Sequence, residues 1–406
     1  MRSHSRRNGR GSIEYFLPFY YLLSQYKIGP IPLGTIGLLI IAVYTLFKRS
    51  GVVRLPSYYN GFIYFFLYVI IRDGVKIISG VEPPQTQINK IIEYSVVFFL
   101  ILIICNKSFD ENRLYSTWKI AGFIYITGLV YHIIMIYILG RNIFPISIIP
   151  GYSLAIEGIE SDRACSFFSE PAAFVTAMIP LEFLALKRSD FKWAMITTVA
   201  ILASTSTVGI VLSVVLWALF LFSRAEKKKY RVTIIIVAIA LTVGFFSLDI
   251  FSSAVEKARG VISGGGTLGS RVIMGYEIVS TQTLLSLIFG SNYNDAFNYV
   301  GEHLSVFSSK MTYVYWSGGY VYLNTFFHII FSYGIVGLLL FYNPWIKMLR
   351  TNEYQAKPYI ITMLIATLGQ SLLLNSYYFM IVIILLSYCD SKSILPSDMQ
   401  KIIGDC

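Results

Sequence analysis

Residues 320–342 read YVYLNTFFHIIFSYGIVGLLLFY, a run of 23 residues without a single Asp, Glu, Lys or Arg. A transmembrane helix needs about 20 consecutive, mainly apolar residues. The run is continuously apolar and does not alternate in polarity, which favours a helix over a strand of a membrane barrel. These residues are therefore predicted to form a membrane-spanning helix.

Comparable runs follow one another along the chain of 406 residues. Hydrophobic residues make up 55% of it and charged residues only 14%, which is too few charges for the surface of a soluble protein of this length. The predicted fold class is all-α, a polytopic bundle of about twelve spans in one integral-membrane domain, residues 1–406. The predicted spans are residues 13–27, 31–47, 59–79, 88–105, 119–139, 171–186, 192–206, 208–222, 232–250, 320–342, 358–374 and 376–389.

The first span follows a basic head, residues 1–10, as the apolar part of a signal peptide does. No cleavage site of the small-x-small type follows it, and the next apolar run begins almost at once. We therefore expect this segment to be retained as a transmembrane span.

The basic residues predict how the bundle is oriented. In the twelve-span layout, 23 of the 33 lysine and arginine residues fall in connectors on one side, and basic connectors stay in the cytoplasm. The predicted location is a bacterial inner membrane, with both termini cytoplasmic. The net charge of +11 then reflects topology and does not indicate nucleic-acid binding.

Two segments on the opposite side are long, residues 140–170 and residues 251–319, and both are rich in Gly, Ser, Tyr and charge. They are predicted to be periplasmic. Long outer loops fit poorly with a plain channel or a compact transporter and suit chemistry at the membrane surface.

The four cysteines are Cys105, Cys165, Cys389 and Cys406. No two of them form a CxxC pair, and the layout places only Cys165 outside the cytoplasm and its membrane face. The sequence therefore predicts neither a disulfide framework nor a metal site, and no cofactor is expected.

The first candidate site is the segment RACSFFSEP, from Arg163 to Pro171, which leads into the sixth span. Pro171 suits the first turn of a helix, and Ser169 or Glu170 can cap it. The helix N-terminus would open towards the periplasm, where its N–H groups favour a phosphate and Arg163 can add a bidentate grip. An ordinary capped helix beside an exposed arginine is the alternative.

The second candidate is GGGTLGSR, from Gly264 to Arg271, followed by the stretch VIMGYEIVS. The glycines predict a flexible loop, and the following stretch predicts a short helix on or in the membrane surface. Arg271, Gly275, Ile278 and Gln282 share one face of that helix. A phosphate-binding loop and a solvated hinge both fit these glycines.

Polar residues inside the spans are further candidates, since charges are costly in a bilayer. Asn324 lies at the outer end of the span 320–342 and His328 one turn further in, while Gly334 and Gly337 permit close helix packing. A structural histidine is the alternative to a catalytic one. The other ionisable residues within spans are Arg72, Asp73, His132, Glu182 and Asp249.

Three of these charges have a simple expected placement. Arg72 and Asp73 point about 100° apart on a helix and need not pair. Glu182 lies near the inner end of its span, where a side chain can reach the interface. The segment STSTVG, residues 204–209, predicts a tight outer hairpin or the polar lining of a cleft.

Taken together, these stretches resemble the family of bacterial O-antigen polymerases and ligases. The resemblance rests on Arg163 followed by FFSEP, on the hydroxyl-rich break STSTVG, on SRVIMGYEIV and LIFGSNYND in the late outer loop, and on NTFFHIIFSYGIVGL from Asn324. It covers residues 160–342 in motifs and the whole chain in the layout of spans.

The resemblance implies a membrane glycosyltransferase that joins oligosaccharide repeat units carried on undecaprenyl diphosphate in the periplasm. Such an enzyme has lipid-linked oligosaccharides, the bilayer and a chain-length regulator protein as partners, and binds no nucleic acid. The implied catalytic residues are Glu170 as base or acceptor-orienting group and Arg163 and Arg271 on the diphosphate; the implied substrate-binding residues are Asn324, His328, Arg259 and Arg72.

Two departures from the family pattern bear on the choice of activity. Ligases have a histidine directly before the asparagine, whereas this chain has Leu323, which favours a polymerase over a ligase. The arginine-x10-glycine pattern of some polymerases is absent, because Phe174 and Ser270 follow Arg163 and Arg259 at that spacing. A flippase or transporter of lipid-linked oligosaccharides is the alternative of a different class.

Overall fold

The structure is a computed structural model, and helices dominate it. It describes residues 13–29, 31–49, 59–80, 84–105, 110–141, 143, 145–149, 163–223, 266–293, 295–317, 321–351 and 356–389. Within these ranges the only sheet is a hairpin in which β1 (Lys27–Ile28) pairs antiparallel with β2 (Ile31–Pro32). The prediction of a helical fold is confirmed.

Fifteen α-helices are described, and a π-helical turn at Ile134–Ile138 extends α5. A 3-10 turn, Leu304–Val306, follows α11. The helices are α1 (Ile13–Leu23), α2 (Leu33–Arg49), α3 (Tyr59–Ser79), α4 (Pro84–Ile104), α5 (Glu111–Ile133), α6 (Pro171–Lys187), α7 (Phe191–Ala203), α8 (Thr207–Ser223), α9 (Gly266–Ser280), α10 (Leu284–Phe289), α11 (Ala296–Glu302), α12 (Ser309–Trp316), α13 (Thr325–Thr351), α14 (Lys357–Gly369) and α15 (Ser376–Cys389).

Three helical stretches are long and apolar enough to cross a membrane: Gln87–Ile104, Glu111–Ile138 and Thr325–Arg350. Eleven of the twelve predicted spans coincide with helices, several of them shorter than a full span. The remaining predicted span, residues 232–250, lies outside the described residues, as do Asp249 and Arg259. The helices are consistent with a membrane protein.

Large apolar side chains cover the outside of the bundle. Phe47 and Ile78 are each 87% exposed, and Phe123 and Leu339 are each 66% exposed. Proteins in water rarely expose so much contiguous apolar surface, whereas a bilayer solvates it. The outer surface therefore supports the assignment of a membrane protein.

Contacts at one end of the bundle join the beginnings of some helices to the ends of others. Glu14 in α1 accepts a hydrogen bond from the N–H of Asp110, directly before α5. Lys187 at the end of α6 forms an ion pair with Glu111 at the beginning of α5. Gly61, near the start of α3, lies against Pro344 in the last part of α13. We call this the Lys187 end.

The opposite end, here called the Arg163 end, collects the other helix termini. The N–H of Ser169, before α6, donates to Gln25, which follows α1, at 3.0 Å. The N–H of Thr325, at the start of α13, donates to the carbonyl of Gln370 after α14 at 2.8 Å. These helices therefore run in alternating directions through the bundle.

Helix α6 occupies the centre of this arrangement. It contacts α1, α5, α7, α8 and α14, and it is buried along almost its whole length, from Pro171 to Leu186. A helix that is apolar on every side belongs in the interior of a bundle. Its N-terminus therefore opens at the centre of the Arg163 end.

Helix α13 is interrupted rather than continuous. Gly334 has φ 67° and ψ −170°, a conformation that breaks the helix and that glycine adopts without strain. A Cβ atom at Gly334 would lie 2.2 Å from the carbonyl oxygen of Ile288, and one at Gly290 would lie 2.3 Å from that of Ser332. The C-terminus of α10 thus fits into the break, which is the close packing expected of Gly334.

The glycine-rich stretch differs from its prediction. Helix α9 begins at Gly266, so the residues from Gly266 to Ser270 are helical and not a loop. It ends at Ser280, so Gln282 lies beyond it. The backbone prefers the helix here because its later turns pack on α13, where Gly275 meets the ring of Phe327.

Candidate functional site

The Arg163 guanidinium contacts the turn between α7 and α8. Its Nη2 donates to the carbonyl oxygen of Thr205 at 2.9 Å, and its Nε lies 3.4 Å from the Thr205 hydroxyl. Thr205 has φ 56°, as expected of a tight hairpin between two helices. The two predicted stretches, RACSFFSEP and STSTVG, therefore meet in space.

Helix α6 begins at Pro171, as the sequence predicts, and Glu170 is its N-cap residue. The prediction that Ser169 or Glu170 caps the helix through its side chain is wrong. The Glu170 side chain makes no capping hydrogen bond, and Ser169 lies one position before the cap. The Glu170 carboxyl group is exposed at the helix N-terminus, where it is accessible to a ligand.

The residues between Arg163 and Glu170 are held rigidly. The N–H of Cys165 donates to Nδ1 of His132 at 3.3 Å, and the Ser166 hydroxyl donates to the carbonyl of Tyr125 at 2.8 Å. Burial raises the pKa of the Cys165 thiol to about 12. Cys165 is therefore a neutral packing group, and His132 orders the segment.

The predicted substrate-binding residue Arg72 binds the chain itself. Its Nε donates to the carbonyl of Phe289 at 2.7 Å, and its Nη2 donates to the carbonyl of Gly290 at 2.6 Å and to Oδ1 of Asn292 at 2.7 Å. The hydroxyl of Tyr68 also donates to the Phe289 carbonyl, at 3.1 Å. A guanidinium at the C-terminus of α10 satisfies carbonyls that lack helical partners.

Arg72 and Asp73 form no ion pair with each other, in agreement with the expectation that they need not pair. Oδ1 of Asp73 lies 3.4 Å from Nζ of Lys76, one turn along α3, and the Tyr333 hydroxyl donates to Oδ2 at 3.3 Å. The Lys76 side chain is only 3% exposed. Sequence reasoning missed Lys76, although its i, i+3 spacing from Asp73 was a usable signal.

The predicted substrate-binding residue Asn324 caps α13. Its Oδ1 accepts from the N–H of Phe327 at 2.9 Å, and its Nδ2 donates to the carbonyl of Leu368 in α14 at 3.0 Å. The side chain is buried. These bonds give Asn324 a role in joining α13 to α14.

His328 lies one turn further along α13, with Nδ1 3.4 Å from the Ser371 hydroxyl. Its side chain is partly exposed, and the ammonium groups of Lys76 and Lys90 are close enough to interact with it electrostatically. Sequence reasoning also missed Lys90, because α3, α4 and α13 meet only in the folded chain.

Glu182 is not placed as predicted. It is fully buried, and the hydroxyls of Thr198 and Ser213 each donate to its Oε1 at 2.5 Å. Its Oε2 has no hydrogen-bond partner among the described residues. Neighbouring helices α7 and α8 enclose the carboxyl group, so it does not reach the interface.

The structure thus groups the predicted site residues at one end of the bundle. Arg163 and Glu170 flank the N-terminus of α6, while Arg72, Asn324 and His328 lie around α3 and α13. The backbone of Arg271 is in α9, and its side chain, like all of Arg259, is outside the described residues. No cluster of His, Cys, Asp or Glu that could hold a metal ion occurs in the described part of the chain.

Comparisons with known proteins do not add to this picture. No protein-family model matches the chain, and no curated protein matches it. The case for a function therefore rests on the sequence motifs and on the geometry of the Arg163 end.

Proposed function

We propose that this chain is an O-antigen or polysaccharide polymerase, a membrane glycosyltransferase that joins repeat units carried on undecaprenyl diphosphate. The single observation that carries the proposal is the contact between Arg163 and Thr205. It unites the two motifs of the resemblance beside the N-terminus of α6, where Glu170 is exposed. That arrangement suits a ligand with both phosphate and hydroxyl groups.

The reaction moves the growing glycan from its carrier onto a hydroxyl of a new unit. The acceptor oxygen forms a bond to the anomeric carbon, the bond from that carbon to the diphosphate oxygen breaks, and the diphosphate leaves with the electron pair. Arg163 and Arg271 would stabilise the charge on the leaving group, and Glu170 would take the proton of the acceptor hydroxyl. The exposure of Glu170 supports this role.

The proposed layout has twelve spans in a bacterial inner membrane, with both termini cytoplasmic. Residues 140–170 and 251–319 are periplasmic in it. The alternating directions of the described helices support this layout, as do the basic Lys187 and Arg188 at the Lys187 end. The proposed partners are lipid-linked oligosaccharides, the bilayer and a chain-length regulator protein.

Deletion of the gene in its host distinguishes a polymerase from the two alternative activities, a ligase and a flippase. Loss of a polymerase leaves surface lipid capped with a single repeat unit, whereas loss of a ligase or a flippase leaves uncapped lipid. Gel electrophoresis of the surface glycan shows directly whether the lipid carries no repeat unit, one unit or a long chain. Purified protein should also convert lipid-linked units into a ladder of longer chains, and a preparation that makes no ladder would reject the polymerase.

A further inference from the structure

The C-terminus of α10 lies between two spans of the bundle, although it belongs to the late outer loop. The carbonyl of Phe289 accepts hydrogen bonds from the Tyr68 hydroxyl at 3.1 Å and from Nε of Arg72 at 2.7 Å, both in α3. On the other side, a Cβ atom on Gly334 of α13 would lie 2.6 Å from the nitrogen of Gly290. The end of α10 is therefore fixed against both α3 and α13.

These contacts show how deep the C-terminus of α10 lies in the bundle. Gly334 is about 13 Å along α13 from its first residue, at a rise of about 1.5 Å per residue. Tyr68 and Arg72 are about 16 Å and about 10 Å from the last residue of α3. Both helices therefore place the end of α10 at a similar distance from the Arg163 end.

That depth is within the hydrocarbon core of a bilayer. The stretch Thr325–Arg350 is 26 residues long, or about 39 Å, whereas the hydrocarbon core is about 30 Å thick. A helix of this length that crosses the core can extend beyond it by about 9 Å, which is less than the distance from the start of α13 to Gly334. In the proposed topology, the C-terminus of α10 thus lies inside the outer leaflet.

The side of α10 that faces away from the protein is apolar. Leu284 and Leu285 are 72% and 71% exposed, and Phe289 is 48% exposed. Ile71 in α3 and Ile335 in α13 are exposed at the same depth. The exposed face of α10 therefore continues the apolar outer surface of the bundle, which supports contact with the same surroundings.

The polar groups at both ends of α10 have partners within the protein. The Thr283 hydroxyl accepts from the N–H of Ser286 at 3.3 Å, and Arg72 and Tyr68 bind carbonyls at the C-terminus. Backbone groups in a bilayer must be satisfied in this way, because no water is available there. The sequence agrees, since residues 278–294 contain no Asp, Glu, Lys or Arg.

We propose that residues 283–291 form a re-entrant segment whose exposed face contacts acyl chains of the outer leaflet. Leu284, Leu285 and Phe289 form that face. The segment enters the bilayer from the periplasmic side and returns to that side without crossing, and Arg72 anchors it to α3 within the membrane. This inference refines the proposed topology of residues 251–319 and does not depend on glycosyltransferase activity.

Fluorescence quenching tests the contact with lipid. Leu285→Cys, in full-length protein that lacks Cys389 and Cys406, is labelled with bimane and reconstituted into phosphatidylcholine vesicles. We expect lipid brominated on its acyl chains to quench the bimane about twofold, and iodide in the water to leave it unchanged. Leu339→Cys on the outside of α13 is the lipid-facing control, and Ser305→Cys in the late loop is the water-exposed control.

Two results would overturn the proposal. Quenching of Leu285→Cys by iodide as strong as that of Ser305→Cys would place α10 in water. Protection from both quenchers would show that a protein surface, such as a second copy of the chain, covers the helix in place of lipid.

Leu284→Cys provides an independent measurement, because its side chain is equally exposed, and it serves if Leu285→Cys does not fold. It should give the same quenching by brominated lipid. A protein that makes no glycan chains would leave these results unchanged, so failure of the proposed activity is distinguishable from failure of the re-entrant segment.

Discussion

Nη2 of Arg72 lies 2.6 Å from the carbonyl oxygen of Gly290, although 218 residues separate them in the chain. The bond links α3 to the end of α10, and α10 in turn fits the break in α13 at Gly334. The N–H of Ser291 closes the contact by donating to the carbonyl of Phe331 at 2.6 Å. Arg72 thus positions residues 290–292, the loop that follows α10.

Replacing Arg72 tests this role. Arg72→Lys keeps the charge but loses the planar fork that bonds two carbonyls and an amide at once. We expect faster hydrogen exchange at the amide of Ser291 and chain extension reduced at unchanged protein level. Arg113→Lys at the other end, where the pair with Asp110 is about two-fifths exposed, is the control. Unchanged exchange at Ser291 in Arg72→Lys would remove the positioning role.

Gly334 offers a second test of the same contact. Gly334→Ala forces a side chain into φ 67° and against the Ile288 carbonyl. The backbone conformation alone costs about 1–3 kcal/mol for a residue other than glycine, and the clash adds to it. A lower melting temperature of the purified protein is expected. Gly74→Ala, whose Cβ would meet no atom within 4 Å, is the matched control and should melt at or above the wild-type temperature.

Local features of this fold follow from the sequence. Pro171 begins α6 as predicted, because a proline at the first helical position loses no hydrogen bond. The contact between RACSFFSEP and STSTVG was not predicted, since nothing local in the sequence links residues so far apart. The hydrophobic pattern predicts helices well because helix formation depends mainly on residues that are close in sequence.

The predictions were wrong where contacts between residues distant in sequence determine the local structure. The span predicted to begin at 320 begins at Thr325, because Asn324 caps the helix and ties it to α14. The break at Gly334 depends on α10, and the burial of Glu182 depends on α7 and α8. The hydrogen-bond partners of Arg72 could not be predicted from the sequence, because a contact between a helix and a distant loop produces no periodic pattern in the sequence.

Cysteine labelling tests the proposed topology. Ser305→Cys in the late loop should react with an impermeant maleimide in intact cells, and Lys192→Cys at the Lys187 end only after permeabilisation; both positions are exposed. Native Cys389 and Cys406 are first replaced. Labelling of Ser305→Cys only in permeabilised cells would invert the topology and move the site to the cytoplasm.

Native Cys165 should not interfere in that experiment. Its thiol pKa is raised to about 12 by burial, so the thiol stays protonated at neutral pH and becomes a thiolate only as the pH approaches that value. We therefore expect no labelling of Cys165 at pH 7 in the folded protein. Labelling after denaturation, when the ordinary pKa returns, is the positive control.

Arg163→Lys tests the diphosphate grip at α6. Lysine keeps the charge but loses the planar guanidinium fork that can bind two phosphate oxygens at once. We expect most chain extension to be lost while the protein inserts and accumulates normally, as seen in gels of the surface glycan. Long chains of normal distribution from this variant would show that the guanidinium does not serve the leaving group.

Glu170 is the most informative position, because its two candidate roles now separate. A capping side chain would lose about 1 kcal/mol of stability on replacement, but the Glu170 carboxyl makes no capping bond. Glu170→Gln therefore removes no capping bond, and the stability loss expected of a lost cap should not occur. If the carboxylate accepts the acceptor proton, the neutral amide abolishes chain extension and Glu170→Asp retains a reduced activity.

The control for that substitution is Glu302→Gln, which removes an exposed carboxylate from the late loop at the same end. The Glu302 carboxylate accepts a hydrogen bond from the hydroxyl of Tyr293 at 2.5 Å. Its removal therefore changes a local contact of the loop and leaves the region around α6 intact. Chain extension should persist in it. Near-normal chains from Glu170→Gln would instead exclude Glu170 as the base. His328 and Glu277 would be the next candidate bases to test, because His328 lies on α13 and Glu277 lies on α9, which packs against α13.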